Sequence, residues 1–236
     1  MTYKLLSVII PVYNEQSTIS EVIEKVSAVR LPIEKEIIVI DDGSTDGTIE
    51  ALELSKSKLA RTYLTPVNVG KGAAVRIGLT MAKGDIILIQ DADLELDPDE
   101  FGHLIEPILK GEAEVVFGSR FLKKNEVPAM RLIANKVLTR TTNLLYRSYL
   151  TDMATAYKVF TRDTANRLAL EANRFEIDAE LTAIFVKLGY KIVEVPITYR
   201  PRSVLEGKKL KWRDGVKAVW TLVKYRFRDL PQAREK

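Results

Sequence analysis

Along the first 120 residues, short and nearly unbroken apolar runs alternate with stretches whose apolar positions recur every three or four residues. Leu5 to Val12 (LLSVIIPV), Glu36 to Ile40 (EIIVI), Asp85 to Gln90 (DIILIQ) and Glu114 to Gly118 (EVVFG) read as strands buried on both faces. Between them, Ser17 to Val29 carries Ile19, Val22, Ile23 and Val26 on one stripe, and Thr48 to Leu59 carries Ile49, Leu52 and Leu59. Lys71 to Ala82 carries Ala74, Ile77, Gly78 and Met81, and all three stretches read as helices. The alternation predicts an α/β, Rossmann-like fold: a central, mostly parallel sheet flanked by helices. Ligands of such sheets bind at the carboxyl ends of the strands.

The second half is less regular. Met130 to Leu150 predicts an amphipathic helix, with Leu132, Ile133, Val137, Leu138, Leu144, Leu145 and Tyr149 set among Arg131, Lys136, Arg140 and Arg147. Tyr157 to Phe160 and Lys191 to Val195 predict short strands, and Phe175 to Leu188 a helix capped by Gly189. Trp212 to Phe227 predicts a further amphipathic helix with Lys and Arg between its apolar positions. With no repeat or linker-like stretch, the expectation is a single domain over 1–228 and a frayed tail over 229–236. The division falls between a regular half, residues 1–120, and a less regular half, 121–228.

Composition narrows the chemistry. With no Cys, a disulfide scaffold, a Cys zinc site and a thiol nucleophile are excluded. One His, His103, leaves a Ser-His-Asp triad without support. No apolar run of about 18 residues exists to span a bilayer, and the start MTYKLLSVII lacks a signal-peptide pattern. The expectation is a cytoplasmic protein. The net charge of +4 is unevenly placed: Arg200 to Lys236 holds 12 basic and 4 acidic residues, the rest 24 and 28. A basic tail on a weakly acidic body suits an anionic partner or a solvated helix.

The strand ends are polar: Pro11-Val12-Tyr13-Asn14-Glu15, Asp41-Asp42-Gly43-Ser44, Asp91-Ala92-Asp93-Leu94-Glu95 and Ser119-Arg120 follow the four predicted strands. Asp91 and Asp93 suit a hard divalent cation shared with a diphosphate, and Glu95 is a further candidate ligand. Asp97 to Glu100 suits a helix cap instead. Asn68-Val69-Gly70-Lys71-Gly72 fits either a phosphate cradle at a helix N-terminus or a simple turn.

Taken in order, SVIIPVYNE, EIIVIDDGSTDGT, NVGKGAAVRIGL, GDIILIQDADLELDP, FGSRF, TDMATAYKVF and EVPITYRPR resemble the family 2 glycosyltransferases, from about Leu5 to Phe227. Within them the chain is most similar to the polyprenyl-phosphate and dolichyl-phosphate hexosyltransferases. The resemblance implies a GT-A fold, a UDP- or GDP-linked sugar donor, Mg²⁺ or Mn²⁺, inversion at the anomeric carbon and a lipid-phosphate acceptor. It places Pro11, Tyr13, Glu15, Val39 and Asp41 at the nucleotide, Asp91-Ala92-Asp93 at the metal and donor, and Arg120 and Arg202 at the phosphates. Lys208 or Lys209 falls on a loop over the diphosphate, and Arg131 where the acceptor phosphate is held. Mannosyl-type members often have Gln where this chain has Glu95, a departure that leaves its role as a metal ligand open. The resemblance also implies that residues 1–120 are the nucleotide-binding half and 121–228 the acceptor-side half.

A phosphate acceptor is already nucleophilic at neutral pH, so a strong general base is dispensable. Asp178 and Glu180 are the remaining candidates for acceptor-side chemistry, most simply in an orienting role. Polyprenyl-phosphate transferases often carry transmembrane helices, which this sequence lacks. Met130 to Leu150 and Trp212 to Phe227 fit peripheral docking at the cytoplasmic face of a membrane and equally fit sheet-covering helices. The rival readings are a soluble transferase acting on a sugar, protein or small-molecule hydroxyl, and a non-catalytic nucleotide-sugar binding subunit. Nothing reads as a nucleic-acid module.

Overall fold

The computed structural model describes residues 3–55, 60–202 and 212–230. Its elements run β1 (Leu5–Val12), α1 (Ile19–Ala28), β2 (Glu34–Asp41), α2 (Thr48–Leu54), β3 (Ala60–Leu64), α3 (Lys71–Met81), β4 (Ile86–Ile89) and α4 (Phe101–Leu109). There follow β5 (Val115–Ser119), α5 (Ala129–Tyr146), β6 (Lys158–Thr161), α6 (Arg162–Asn166), α7 (Ile177–Lys187), β7 (Ile192–Pro196) and α8 (Trp212–Phe227). The described strands form one sheet in the order β3-β2-β1-β4-β6-β5-β7. All neighbours are parallel except β6, which runs antiparallel to both β4 and β5.

Strand polarity and side-chain alternation divide the core. Leu6, Val8 and Ile10 of β1 enter a cluster with α1 and α4, whereas Ile9 enters the opposite cluster with Ala74, Phe160, Phe185 and Leu222. Both faces of the sheet are therefore covered, which is why its strands read as continuous apolar runs. From β1 the chain moves outward to β2 and β3, then crosses back to β4 on the other side of β1. That reversal opens a crevice beyond the carboxyl ends of β1 and β4. The segments leaving these strands are Tyr13 to Glu15 and Asp91 to Asp93.

Several elements differ from expectation. The helix from Thr48 stops at Leu54 and an edge strand, β3, begins at Ala60; its burial is too shallow to leave a strong apolar signal. The helix expected to Leu150 ends at Tyr146, where Arg147 takes a left-handed φ of 54°. The expected tail beyond Leu230 lies outside the described residues.

The close approach of α3 to the segment before α7 requires glycine. A Cβ on Gly72 would collide with the Ala172 carbonyl oxygen and stand 2.9 Å from the carbonyl carbons of Ala172 and Asn173. The adjacent Ala73 N–H donates to the Asn173 oxygen at 3.0 Å. We expect Gly72→Ala to lower unfolding stability by about 1–3 kcal/mol through overpacking, read by denaturant unfolding. An unchanged midpoint would show that this contact is loose.

Candidate active site

Burial at the strand ends makes each carboxylate seek a partner, and the structure supplies one to each. Asp41, fully buried at the end of β2, accepts the Ser44 N–H at 2.9 Å and the Ser44 hydroxyl. Asp42, also buried, accepts Asn68 Nδ2 at 2.8 Å and the Val69 and Gly70 N–H groups at 2.9 and 2.7 Å. Burial pushes the Asp42 carboxyl above its usual range. The amides of Val69 and Gly70 thus serve a protein carboxylate, which corrects the phosphate-cradle reading of this turn. The turn's role is to start α3 at Lys71 and aim its ammonium at the site.

Lys71 stands 2.8 Å from Asp91 and 3.7 Å from Asp178. Asp178 in turn accepts Lys158 Nζ at 3.0 Å. Lys158 is completely buried; its ammonium also donates to the Met153 and Thr155 carbonyls and lies 4.8 Å from the Phe117 ring centroid. The result is a row of alternating charge, Lys158, Asp178, Lys71, Asp91. Burial opposes the charge on Asp178, but the two lysines prevail and hold its carboxyl below the ordinary range.

Arg202 donates to both carboxylate oxygens of Glu15, at 2.8 and 2.9 Å, and approaches Asp93 at 3.5 Å. Glu15 sits on the turn after β1, with its N–H donating to Thr48 Oγ1 at 2.8 Å. Glu95 accepts Arg131 Nη1 at 2.6 Å, the Arg202 N–H at 2.8 Å and the Tyr199 hydroxyl at 3.1 Å. Arg120 makes a bidentate pair with the fully buried Asp152, both contacts at 2.7 Å, and its guanidinium lies 5.2 Å from the Tyr199 ring centroid. These partners hold the Arg120 and Arg202 guanidinium groups firmly charged.

Asp93 is the exception to full neutralisation. Burial, with Asp91 and Glu95 nearby, pushes its carboxyl up to about 7. Its Oδ1 accepts the Glu95 N–H at 3.1 Å across Leu94, which is held at a left-handed φ of 58°. A carboxyl destabilised by neighbouring negative charge suits a cation, so Asp91 and Asp93 fit one end of a divalent-ion site. Among the described residues no three His, Cys, Asp or Glu side chains converge as a metal cage. The remaining ligands would therefore come from a bound diphosphate or water.

The structure corrects several placements. Glu95 faces Arg131, Tyr199 and Arg202, and its oxygens are engaged there. Glu180 is 1% exposed and accepts the Glu171 and Ala172 N–H groups at 2.8 and 2.9 Å together with the Tyr225 hydroxyl. It ties α7 to α8 and cannot reach an acceptor. Val39 is fully buried in the core, so its side chain does not line a base pocket. Pro11 is buried at the end of β1, and Tyr13 is half-buried just beyond it. Ala92 is buried, its carbonyl accepting the Thr18 hydroxyl at 2.7 Å. Lys208 and Lys209 lie outside the described residues.

Sequence reasoning missed Asp152, Lys158, Tyr199 and Asp42 as parts of this network. Signals existed: Asp152 and Lys158 stand in the TDMATAYKVF string, where a Lys in an apolar strand demands a buried partner.

With this geometry in view, comparison with known proteins places the chain. The profile described as Glycosyl transferase family 2 matches residues 7–170, and the chain belongs to that family. It is 29% identical to the dolichyl-phosphate beta-glucosyltransferase of Dictyostelium discoideum, over 95% of this chain and 75% of that protein. It is 31% identical to the dolichol-phosphate mannosyltransferase of Pyrococcus furiosus, over 87% of this chain and 60% of that one. The crystal structure of glucosyl-3-phosphoglycerate synthase from Mycobacterium tuberculosis, in complex with Mn²⁺, UDP and phosphoglyceric acid, superposes with a TM-score of 0.76. That likeness covers 98% of this chain and 80% of that one at 24% identity, and it shows the GT-A-like fold.

The placement of Glu180 yields a separable expectation. Glu180→Gln sets an amide NH₂ against a backbone N–H, so stability should fall by about 1–3 kcal/mol while turnover per folded molecule stays near that of the parent. Thermal unfolding with active-site titration reads both quantities. Loss of turnover at unchanged stability would return Glu180 to the chemistry.

Proposed function

We propose that this family 2 glycosyltransferase moves a hexose, with inversion, from a nucleoside-diphosphate sugar to a polyprenyl phosphate at a membrane surface. The observation that carries the acceptor reading is the clamp on Asp178. A hydroxyl acceptor needs a side chain to take its proton. Glu180 is sealed away, and Asp178 lies between two lysines that keep it ionised and weakly basic. A phosphate monoester has a second pKa near about 6, so it arrives as its own nucleophile with no proton to lose. The names of the Dictyostelium and Pyrococcus relatives support the same acceptor class.

The chemistry balances simply. A phosphate oxygen of the acceptor attacks C1 of the sugar, the bond from C1 to the donor's diphosphate breaks, and the nucleoside diphosphate leaves with that electron pair. Arg202, near Glu15 and Asp93, is placed to meet the leaving diphosphate. Arg120 and Arg131 flank Tyr199 from two sides, and on this reading they hold the acceptor phosphate. A divalent cation, held by Asp93 with Asp91, would neutralise charge on the leaving diphosphate. Lys71 and Asp178 orient Asp91 for that purpose.

The test is a donor panel of UDP-glucose, UDP-N-acetylglucosamine, UDP-galactose and GDP-mannose with Mn²⁺ or Mg²⁺ and a short-chain polyprenyl phosphate, scored by product mass. Transfer from at least one donor is expected, with Asp93→Ala lowering kcat by about 10²–10³ and chelation abolishing turnover. Glycosylation of a hydroxyl acceptor in preference to the phosphate, lost in Asp178→Asn, would overturn the reading.

A further inference from the structure

Two lysines stand behind Asp91, and they are held very differently. Lys158 is fixed. Each of the three N–H bonds of its buried ammonium has an acceptor: Asp178 Oδ1 at 3.0 Å, the Met153 carbonyl at 3.2 Å and the Thr155 carbonyl. Burial lowers its pKa, and a charge so deep is tolerated because Asp178 faces it. Lys71 is shared instead. Its ammonium lies 2.8 Å from Asp91 Oδ1, a hydrogen-bonded pair, and 3.7 Å from Asp178 Oδ2, too far for a hydrogen bond. Burial opposes the charge on Lys71 as well, but Asp178 and then Asp91 outweigh it and raise its pKa. A shift of about 1 Å would exchange its hydrogen-bonded partner.

The second anion is ready to take the lysine over. Lys158 engages Asp178 through Oδ1 alone, and among the described residues no hydrogen bond reaches Oδ2, the oxygen that faces Lys71. Asp178 stays ionised, because the lysines on its two sides outweigh its burial. The Asp91 side chain is 26% exposed and so within reach of a cation arriving in the crevice. With Asp91 carrying a divalent cation, an ammonium on the same carboxylate is repelled, and Asp178 Oδ2 offers it the nearest opposite charge. A fixed structural salt bridge would look like that of Lys158, with every donor committed.

We propose that Lys71 is a tethered counter-ion that competes with the divalent cation for Asp91, and that Asp178 receives it when the cation binds. The inference rests on the reading of Asp91 and Asp93 as metal ligands. Asp178 is then a positioning residue: it acts on metal affinity through Lys71 and touches neither the donor nor the ion. Lys158 secures Asp178 from behind and leaves its second oxygen for Lys71.

The test is Mn²⁺ binding, with the metal alone, followed by electron paramagnetic resonance of the free ion. The full chain is compared with Lys71→Met, Asp178→Asn and the double variant; Asn at 178 keeps an oxygen for Lys158, and melting temperatures check folding. Lys71→Met, which removes the competitor, should bind Mn²⁺ about fivefold or more tightly, and Asp178→Asn, which leaves Lys71 on Asp91, about fivefold or more weakly. Through-space electrostatics alone predicts the same two signs, so the double variant decides. With Lys71 already gone, Asp178→Asn should change the affinity by less than about twofold. An equal loss in both backgrounds, or weaker binding by Lys71→Met, would overturn the proposal. Should Asp178→Asn not fold, a crystal structure of the parent with Mn²⁺ decides instead. Lys71 Nζ hydrogen-bonded to Asp178 is the expected result, and Lys71 still on Asp91 overturns the handover. A parent chain that binds no Mn²⁺ overturns it too, and chelation in the donor panel shows separately whether the metal reading falls with it.

Discussion

Carboxylates gathered at the buried edge of a parallel sheet must be neutralised, and the architecture of this site follows from that requirement. Two unit charges about 4 Å apart at an effective dielectric of about 20 interact with about 4 kcal/mol, comparable to much of a domain's net stability. The chain meets the requirement residue by residue. Lys71 lies against Asp91, Arg202 against Glu15, Arg131 against Glu95, Arg120 against Asp152 and Lys158 against Asp178. Arg202 and Arg131 come from the second half of the chain and meet Glu15 and Glu95 of the first, so charge pairing also joins the two halves. Tyr199 and Arg202 are drawn onto the loop after β4 in this way: Leu96 and Tyr199 form an isolated bridge, and the Arg200 N–H donates to the Glu95 carbonyl at 2.8 Å.

The same requirement explains why some acidic residues near the edge are not available for chemistry. Glu180 and Asp42 are buried, and each accepts two backbone N–H groups besides a side-chain donor. Their work is to fix the segments that carry functional groups. Asp42 holds the turn that launches Lys71, and Glu180 holds residues 171 and 172, against which Gly72 packs. A buried carboxylate met by amide dipoles is stable in a way that one met by a mobile lysine is not, since the dipoles cannot leave without unfolding the turn.

The parallel part of the fold was legible because double burial forces near-continuous apolar runs, as in Leu5 to Val12 and Glu36 to Ile40. β3 was not, since an edge strand with mixed exposure leaves no such run, and ARTYL continues the preceding pattern without a break. In the site, the strand-end positions of Asp91 and Asp93 could be read from local spacing. The partners could not. Lys71 to Asp178 and Glu95 to Arg131 are contacts between distant segments, and a charged residue does not announce which opposite charge it will meet. Glu95 shows the cost of local reasoning: two residues from Asp93 it looks like a third ligand, but the left-handed Leu94 turns it toward Arg131.

Asp93 is where neutralisation is least complete, and on the proposed reading this has a consequence for donor binding. Arg202 spans Glu15 and Asp93 in the structure. A diphosphate entering the crevice competes for that guanidinium, because phosphate oxygens are strong acceptors of bidentate N–H pairs. As Arg202 turns toward the diphosphate, Glu15 and Asp93 lose part of their counter-charge, in a neighbourhood that already holds the Asp93 carboxyl near 7. The anion alone would thus add negative charge to a site that disfavours it. A cation between Asp93 and the phosphates removes the penalty on both sides at once, so donor and divalent ion should each strengthen the other's binding. Arg202 also joins the turn after β1 to the loop after β4 through Glu15 and Asp93, so the residue that on this reading meets the donor helps hold the two strand ends together.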